Sequence, residues 1–124
     1  MTMHGMFHWN ELMTSDVEAA KEFYGETVGW TFDEFPMATG LYWVAMQDGK
    51  PAGGIMDMQG VAPEGTPPHW FSYLAVDDVD ARTARVAEAG GTVMREPFDV
   101  PSVGRIAIVQ DKTGARIGWI TPAN

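Results

Sequence analysis

The chain has 124 residues, 45% hydrophobic and 11% aromatic, which suits one domain with an apolar core and argues against disorder. Seventeen acidic against 8 basic residues give a formal charge of −9; with no basic cluster, this disfavours nucleic acid and anionic lipid as partners. The absence of cysteine excludes disulfides, thiolate nucleophiles and cysteine-ligated zinc.

The first strand is expected over Met6–Met13, followed by a helix from about Asp16 to Val28. Val17, Ala20, Tyr24 and Val28 form its apolar stripe, Ser15 and Glu18 have capping-box spacing, and Gly29 ends it. Trp30–Phe35 reads as a strand stopped by Pro36 and a Thr39-Gly40 turn, and Leu41–Gln47 as the next, closed by an Asp48-Gly49 hairpin signal. Ala52–Gln59 is a fourth strand, in which Gly53-Gly54 signals a bulge or close packing. Gly60–Pro68, rich in proline and glycine, is the linker.

A second unit follows with the same plan. Trp70–Val76 is a strand running into a helix from about Asp78 to Ala89, with Asp77 as its expected cap, acidic Asp78 and Asp80 at its positive end, and Gly90-Gly91 closing it. Thr92–Phe98, Gly104–Gln110 and Ala115–Thr121 complete it, with Asp111-Lys112-Thr113-Gly114 turning the last hairpin. At an offset of 62 residues Leu12 falls on Leu74, Asp16 on Asp78, Val17 on Val79 and Gly29 on Gly91. The expected fold is α+β: two tandem βαβββ modules, about 1–60 and about 69–124 with the linker over 60–68, whose paired mixed sheets form a cup.

No apolar run approaches ~20 residues and Met1–Phe7 lacks the regions of a signal peptide, so a soluble, cytoplasmic protein is expected. There is no dinucleotide or phosphate-binding glycine loop and no nucleophile elbow; Ser15 reads as a helix cap.

The duplication, with Phe23-Tyr24, Gly29-Trp30, Ala75-Val76-Asp77-Asp78-Val79-Asp80, Ala89-Gly90-Gly91 and Asp111-Lys112-Thr113-Gly114, resembles the vicinal oxygen chelate superfamily of glyoxalases, bleomycin-resistance proteins and extradiol dioxygenases. Within it, Trp9-Asn10-Glu11-Leu12, Pro67-Pro68-His69-Trp70 and Gly104-Arg105 look most like glyoxalase-like proteins of the mycobacterial CFP30B type. The resemblance implies a homodimer and a divalent metal held by His or Glu on the first, fourth, fifth and eighth strands. Those positions fall at Trp9, near Met56, at Phe71 and at Gly118, and indole, phenyl and hydrogen are no donors for such an ion. No cofactor is therefore expected. A rival metal site from Glu11, Asp57 and His69, or His8 after a bulge, needs shifts of strand register; His4 reads as a solvated residue of the tail.

The family register directs Glu11 into the cavity with Trp9 and Met13. A carboxylate there is desolvated, which raises its pKa and suits a general base; the alternative is a structural pair with Arg105, Arg116 or a backbone donor. Trp9, Met13, Trp43, Met56, Phe71 and Tyr73, with Met58, either line a ligand pocket or pack as core or interface. Trp70, Leu74 and Val76 alternate with that set and read as core, as do Trp30 and Trp119. The resulting expectation is metal-independent binding of a small, largely apolar or aromatic molecule, with Glu11 orienting a polar group. The alternatives are a metal-dependent glyoxalase-like lyase, isomerase or dioxygenase, and a non-catalytic interaction protein.

Overall fold

The computed structural model describes residues 3–37 and 40–123, so the expected turn at Thr39 lies outside the described residues. The fold is mostly sheet with mixed pairing, and its elements run β1 (Phe7–Thr14), α1 (Val17–Thr27), β2 (Thr31–Met37), β3 (Gly40–Gln47), β4 (Lys50–Asp57), β5 (His69–Ala75), α2 (Val79–Thr83), β6 (Thr92–Val100), β7 (Gly104–Gln110) and β8 (Arg116–Pro122). Two compact units emerge, Asn10–Phe71 and the pair of segments Met1–Trp9 and Ser72–Asn124.

In the Asn10–Phe71 unit the strands lie in the order β2-β3-β4-β1, with β1 parallel to β4 and the hairpins antiparallel. Leu12, Met13, Ala45, Ile55 and Met58 are buried. In the other unit the order is β5-β8-β7-β6, β5 and β8 being parallel. Val76, Val79 and Ala107 form its core, with Trp119 packed against them. The N-terminal segment is tied to this unit, since Gly5 N–H donates to the Ala75 carbonyl (2.7 Å) and Ala75 N–H to that of Met6 (2.8 Å).

The repeat seen in the sequence is visible in the helix caps. Asp16 accepts from Ala19 N–H at 3.0 Å and Asp78 from Ala81 N–H at 3.1 Å, and these two aspartates are repeat mates. The caps are thus one residue later than Ser15 and Asp77. An extended residue whose carboxylate faces the third helical amide is what capping needs, and Asp16 (φ −138°) and Asp78 (φ −147°) satisfy that. Asp77 instead takes two bonds from Arg82, both at 2.9 Å.

The second helix is much shorter than its periodicity suggests. Thr83 Oγ1 takes the Val79 carbonyl at 2.6 Å, and beyond it the amides of Arg85 and Val86 bond three residues back, to Arg82 and Thr83. A hydroxyl competing for a helix carbonyl loosens the ladder, and the segment continues as tight turns to Gly90. Trp70 also departs from expectation. It is 41% exposed and its ring meets Tyr24 and Trp30, with Nε1 donating to the Tyr24 hydroxyl at 3.3 Å. Among the described residues no helix is long and apolar enough to cross a membrane.

Candidate functional site

The register of the Asn10–Phe71 unit sorts its side chains onto two faces. Glu11 is paired with Gly54 and Met13 with Met56 across β1 and β4, while Tyr42 is paired with Met56 and Val44 with Gly54 across β3 and β4. On β2, Phe35 is the partner of Tyr42. Directly paired residues share a face, so Glu11, Met13, Phe35, Tyr42, Val44 and Met56 stand together. Leu12, Trp43 and Ile55 occupy the opposite face by the same pairing.

Glu11 is the polar centre of the first face. It is 7% exposed and its Oε1 accepts a hydrogen bond from the Tyr42 hydroxyl at 2.8 Å. A buried carboxylate requires such a donor, because desolvation without one costs on the order of several kcal/mol. The phenol reaches it across β4 because Gly54 has no side chain: a Cβ built there would coincide with the Tyr42 hydroxyl and the ring carbon bearing it.

The other sequence-derived candidates are placed as follows. Met13 and Met56 are register partners on the Glu11 face. Trp43 is not with them. Lys21 of α1 lies over its ring, 3.3 Å from the centroid, on the helix side of the strands. Phe71 is half-buried, with the His69 ring 6.4 Å away. Trp9 and Tyr73 belong to the other unit, where Tyr73 is the β5 partner of Gly118 on β8 and its ring covers that glycine. Tyr73 is the repeat mate of Glu11, so each unit sets a glycine opposite this position and lays an aromatic ring on it.

Arginine pairing, the structural alternative for Glu11, is not what the described contacts show. Arg105 binds Asp80 (2.7 Å) and Asp99 (3.2 Å), which holds the Asp80 carboxyl below its ordinary range, and Arg116 bonds Gln110.

The metal that the superfamily implies meets an unsuitable donor set. Trp9, Phe71 and Gly118 carry no ligand atom, and Gly118 lies under the Tyr73 ring. In the rival set Asp57 is the register partner of Thr14 and points to the face opposite Glu11, while His69 Nδ1 lies 2.9 Å from the Pro67 carbonyl. Among the described residues no three His, Asp or Glu side chains converge on one point. These residues do not fit a resident ion.

Tyr42 and Phe35 were not singled out from the sequence. Leu41-Tyr42-Trp43-Val44 is apolar at every position, so alternation does not say which ring faces Glu11. The Gly53-Gly54 pair was the signal to follow, since a glycine in a strand interior calls for an aromatic neighbour to cover it.

Comparison with known proteins agrees with this fold. Glyoxylase-named CFP32 of Mycobacterium tuberculosis is 42% identical over 116 residues, covering 92% of this chain and 44% of that protein. The anthracycline biosynthesis protein DnrV of Streptomyces peucetius is 37% identical over 119 residues, covering 86% and 43%. The chain therefore spans less than half the length of these relatives. The crystal structure of methylmalonyl-CoA epimerase from Mycobacterium tuberculosis superposes with a TM-score of 0.70 at 18% identity, covering 100% of this chain and 92% of that one, a likeness of fold alone. The family model matches residues 6–118, and the chain belongs to the Glyoxalase/Bleomycin resistance protein/Dioxygenase superfamily.

Proposed function

We propose that the chain binds a small, largely aromatic molecule on the Glu11 face of the Asn10–Phe71 unit, without a metal ion, and that Glu11 orients a polar group of that molecule. The observation that carries this reading is a carboxylate 7% exposed on the face it shares with Met13, Met56 and Val44, held by a phenol. Methionines adapt their shape to flat ligands, and a buried polar group beside them gives orientation. The name of DnrV, which places it in anthracycline biosynthesis, supports a polycyclic aromatic ligand.

The test is titration with the anthracycline daunorubicin, followed by thermal unfolding. At about 100 times its dissociation constant a ligand adds about 2.7 kcal/mol, which for a domain of this size raises the melting temperature by roughly 10 °C. Glu11→Gln should weaken binding. No shift with wild type at saturating ligand refutes the reading.

The name of CFP32 favours a glyoxalase-like enzyme instead. That alternative predicts near-stoichiometric zinc, nickel, manganese or iron in the purified protein, lost on chelation. We further infer a homodimer from the exposed Phe23 (58%) and Trp70 (41%) of the Asn10–Phe71 unit, large apolar side chains that a subunit interface would cover.

A further inference from the structure

We propose that Asp33, on the outer strand of the Asn10–Phe71 unit, is a second recognition residue of the Glu11 face, and that it selects ligands carrying an ammonium group at the end away from Glu11. This selectivity rests on the binding role proposed for that face, and it narrows the ligand to a flat aromatic molecule with a basic amine.

Strand register puts Asp33 there. Asp33 on β2 is paired with Val44 on β3, Val44 with Gly54 on β4, and Gly54 with Glu11 on β1. Direct partners share a face, so this row crosses the four strands of the unit with a carboxyl residue at each end. Three strand intervals of about 4.8 Å separate the two ends by roughly 14 Å. A second row runs beside it, Phe35, Tyr42, Met56 and Met13, and is aromatic or thioether at every position. A flat body laid across β4 and β3 therefore has Glu11 at one end and Asp33 with Phe35 at the other.

Exposure is graded along the row. Asp33 is exposed, Val44 is half-buried and Glu11 is 7% exposed, while Phe35 beside Asp33 is 39% exposed. A fused-ring body gains by leaving water, whereas an ammonium ion loses its hydration on burial. An amphipathic ligand therefore settles with its rings inward and its charge at the outer strand, where it meets the Asp33 carboxylate. Charged residues on an outer strand also deter pairing with another chain, a role that Asp33 and Glu34 share. The face separates them. Glu34 is paired with Trp43, whose ring lies under Lys21 on the helix side, so alternation turns Glu34 away from the binding face.

Daunorubicin, whose sugar bears one amine, and its N-acetyl derivative, in which that amine is a neutral amide, differ at this one group and can be titrated by their own fluorescence. Wild type should bind daunorubicin about two- to fivefold tighter, the scale of one exposed ion pair, and high salt should shrink the difference. Asp33→Asn should abolish the preference while leaving the affinity for N-acetyldaunorubicin and the melting temperature unchanged, a split that a merely structural role would not give. Glu34→Gln makes the same change of charge on the opposite face and should keep the preference intact. If Asp33→Asn retains the preference, or Glu34→Gln removes it equally, this inference is overturned and the binding role stands. If neither compound binds wild type, both are overturned.

Discussion

Gly118→Ala isolates the contact on which the β5–β8 pairing depends. Gly118 is buried, its φ is not positive, and it is paired directly with Tyr73. An added Cβ would fall on Cδ2 and Cε2 of the Tyr73 ring and lie 3.1 Å from Cγ, atoms near the root of the side chain and not at a flexible tip. The ring must swing off its rotamer, an overpacking cost of about 1–3 kcal/mol. Replacing glycine also stiffens the unfolded chain, which returns about 0.4–1 kcal/mol. The net expectation is a loss of about 1–2 kcal/mol and a fall in melting temperature of roughly 5–10 °C, read by circular dichroism in urea and heat. The control is the sign in a Tyr73→Ala background. With the ring gone, Gly118→Ala should be neutral or slightly stabilising. If the single substitution leaves the wild-type melting temperature unchanged, the ring does not rest on the glycine and the reasoning fails.

Three further outcomes are expected. Asp16→Ala and Asp78→Ala should each cost about 1 kcal/mol by removing a helix cap, whereas Ser15→Ala should be near neutral; equal losses at Ser15 and Asp16 would contradict the capping assignment. The Arg82 guanidinium lowers the Asp77 carboxyl to about 2, so the folded value lies below the ordinary 3.8. The pair's contribution to stability is therefore complete above 3.8 and lost as pH falls towards 2, and carboxyl NMR of Arg82→Ala should show the Asp77 titration moving up from about 2. Lys21→Ala should remove the cation over Trp43 and cost on the order of 0.5–1 kcal/mol, with less loss for Lys21→Arg, which keeps the charge over the ring.

Much of the architecture was legible without coordinates because it is local. Alternating apolar runs, acidic helix starts and glycine stops depend on neighbours in the chain, and an offset shared by Leu12 and Leu74, Asp16 and Asp78 marks a unit used twice. Register errors of one residue, such as Ser15 for Asp16 and Asp77 for Asp78, arose because adjacent polar residues all have capping chemistry. Choosing between them requires the backbone angle. The shortness of α2 has a related reason: helical periodicity records where apolar residues fall, not that the Thr83 hydroxyl donates to a helix carbonyl.

The sequence by itself carried the repeated strand–helix–strand pattern and, through its resemblance to the superfamily, the family, the interest of Glu11 and the ligand positions that Trp9, Phe71 and Gly118 occupy. Only the tertiary structure decided that Tyr42 stands with Glu11 while Trp43 turns to Lys21 and the helix. In an all-apolar strand both faces read alike, and strand pairing sets the choice. The contact that defines the site joins residues 11, 42 and 54 on three strands, and such a relation exists only once those strands lie side by side.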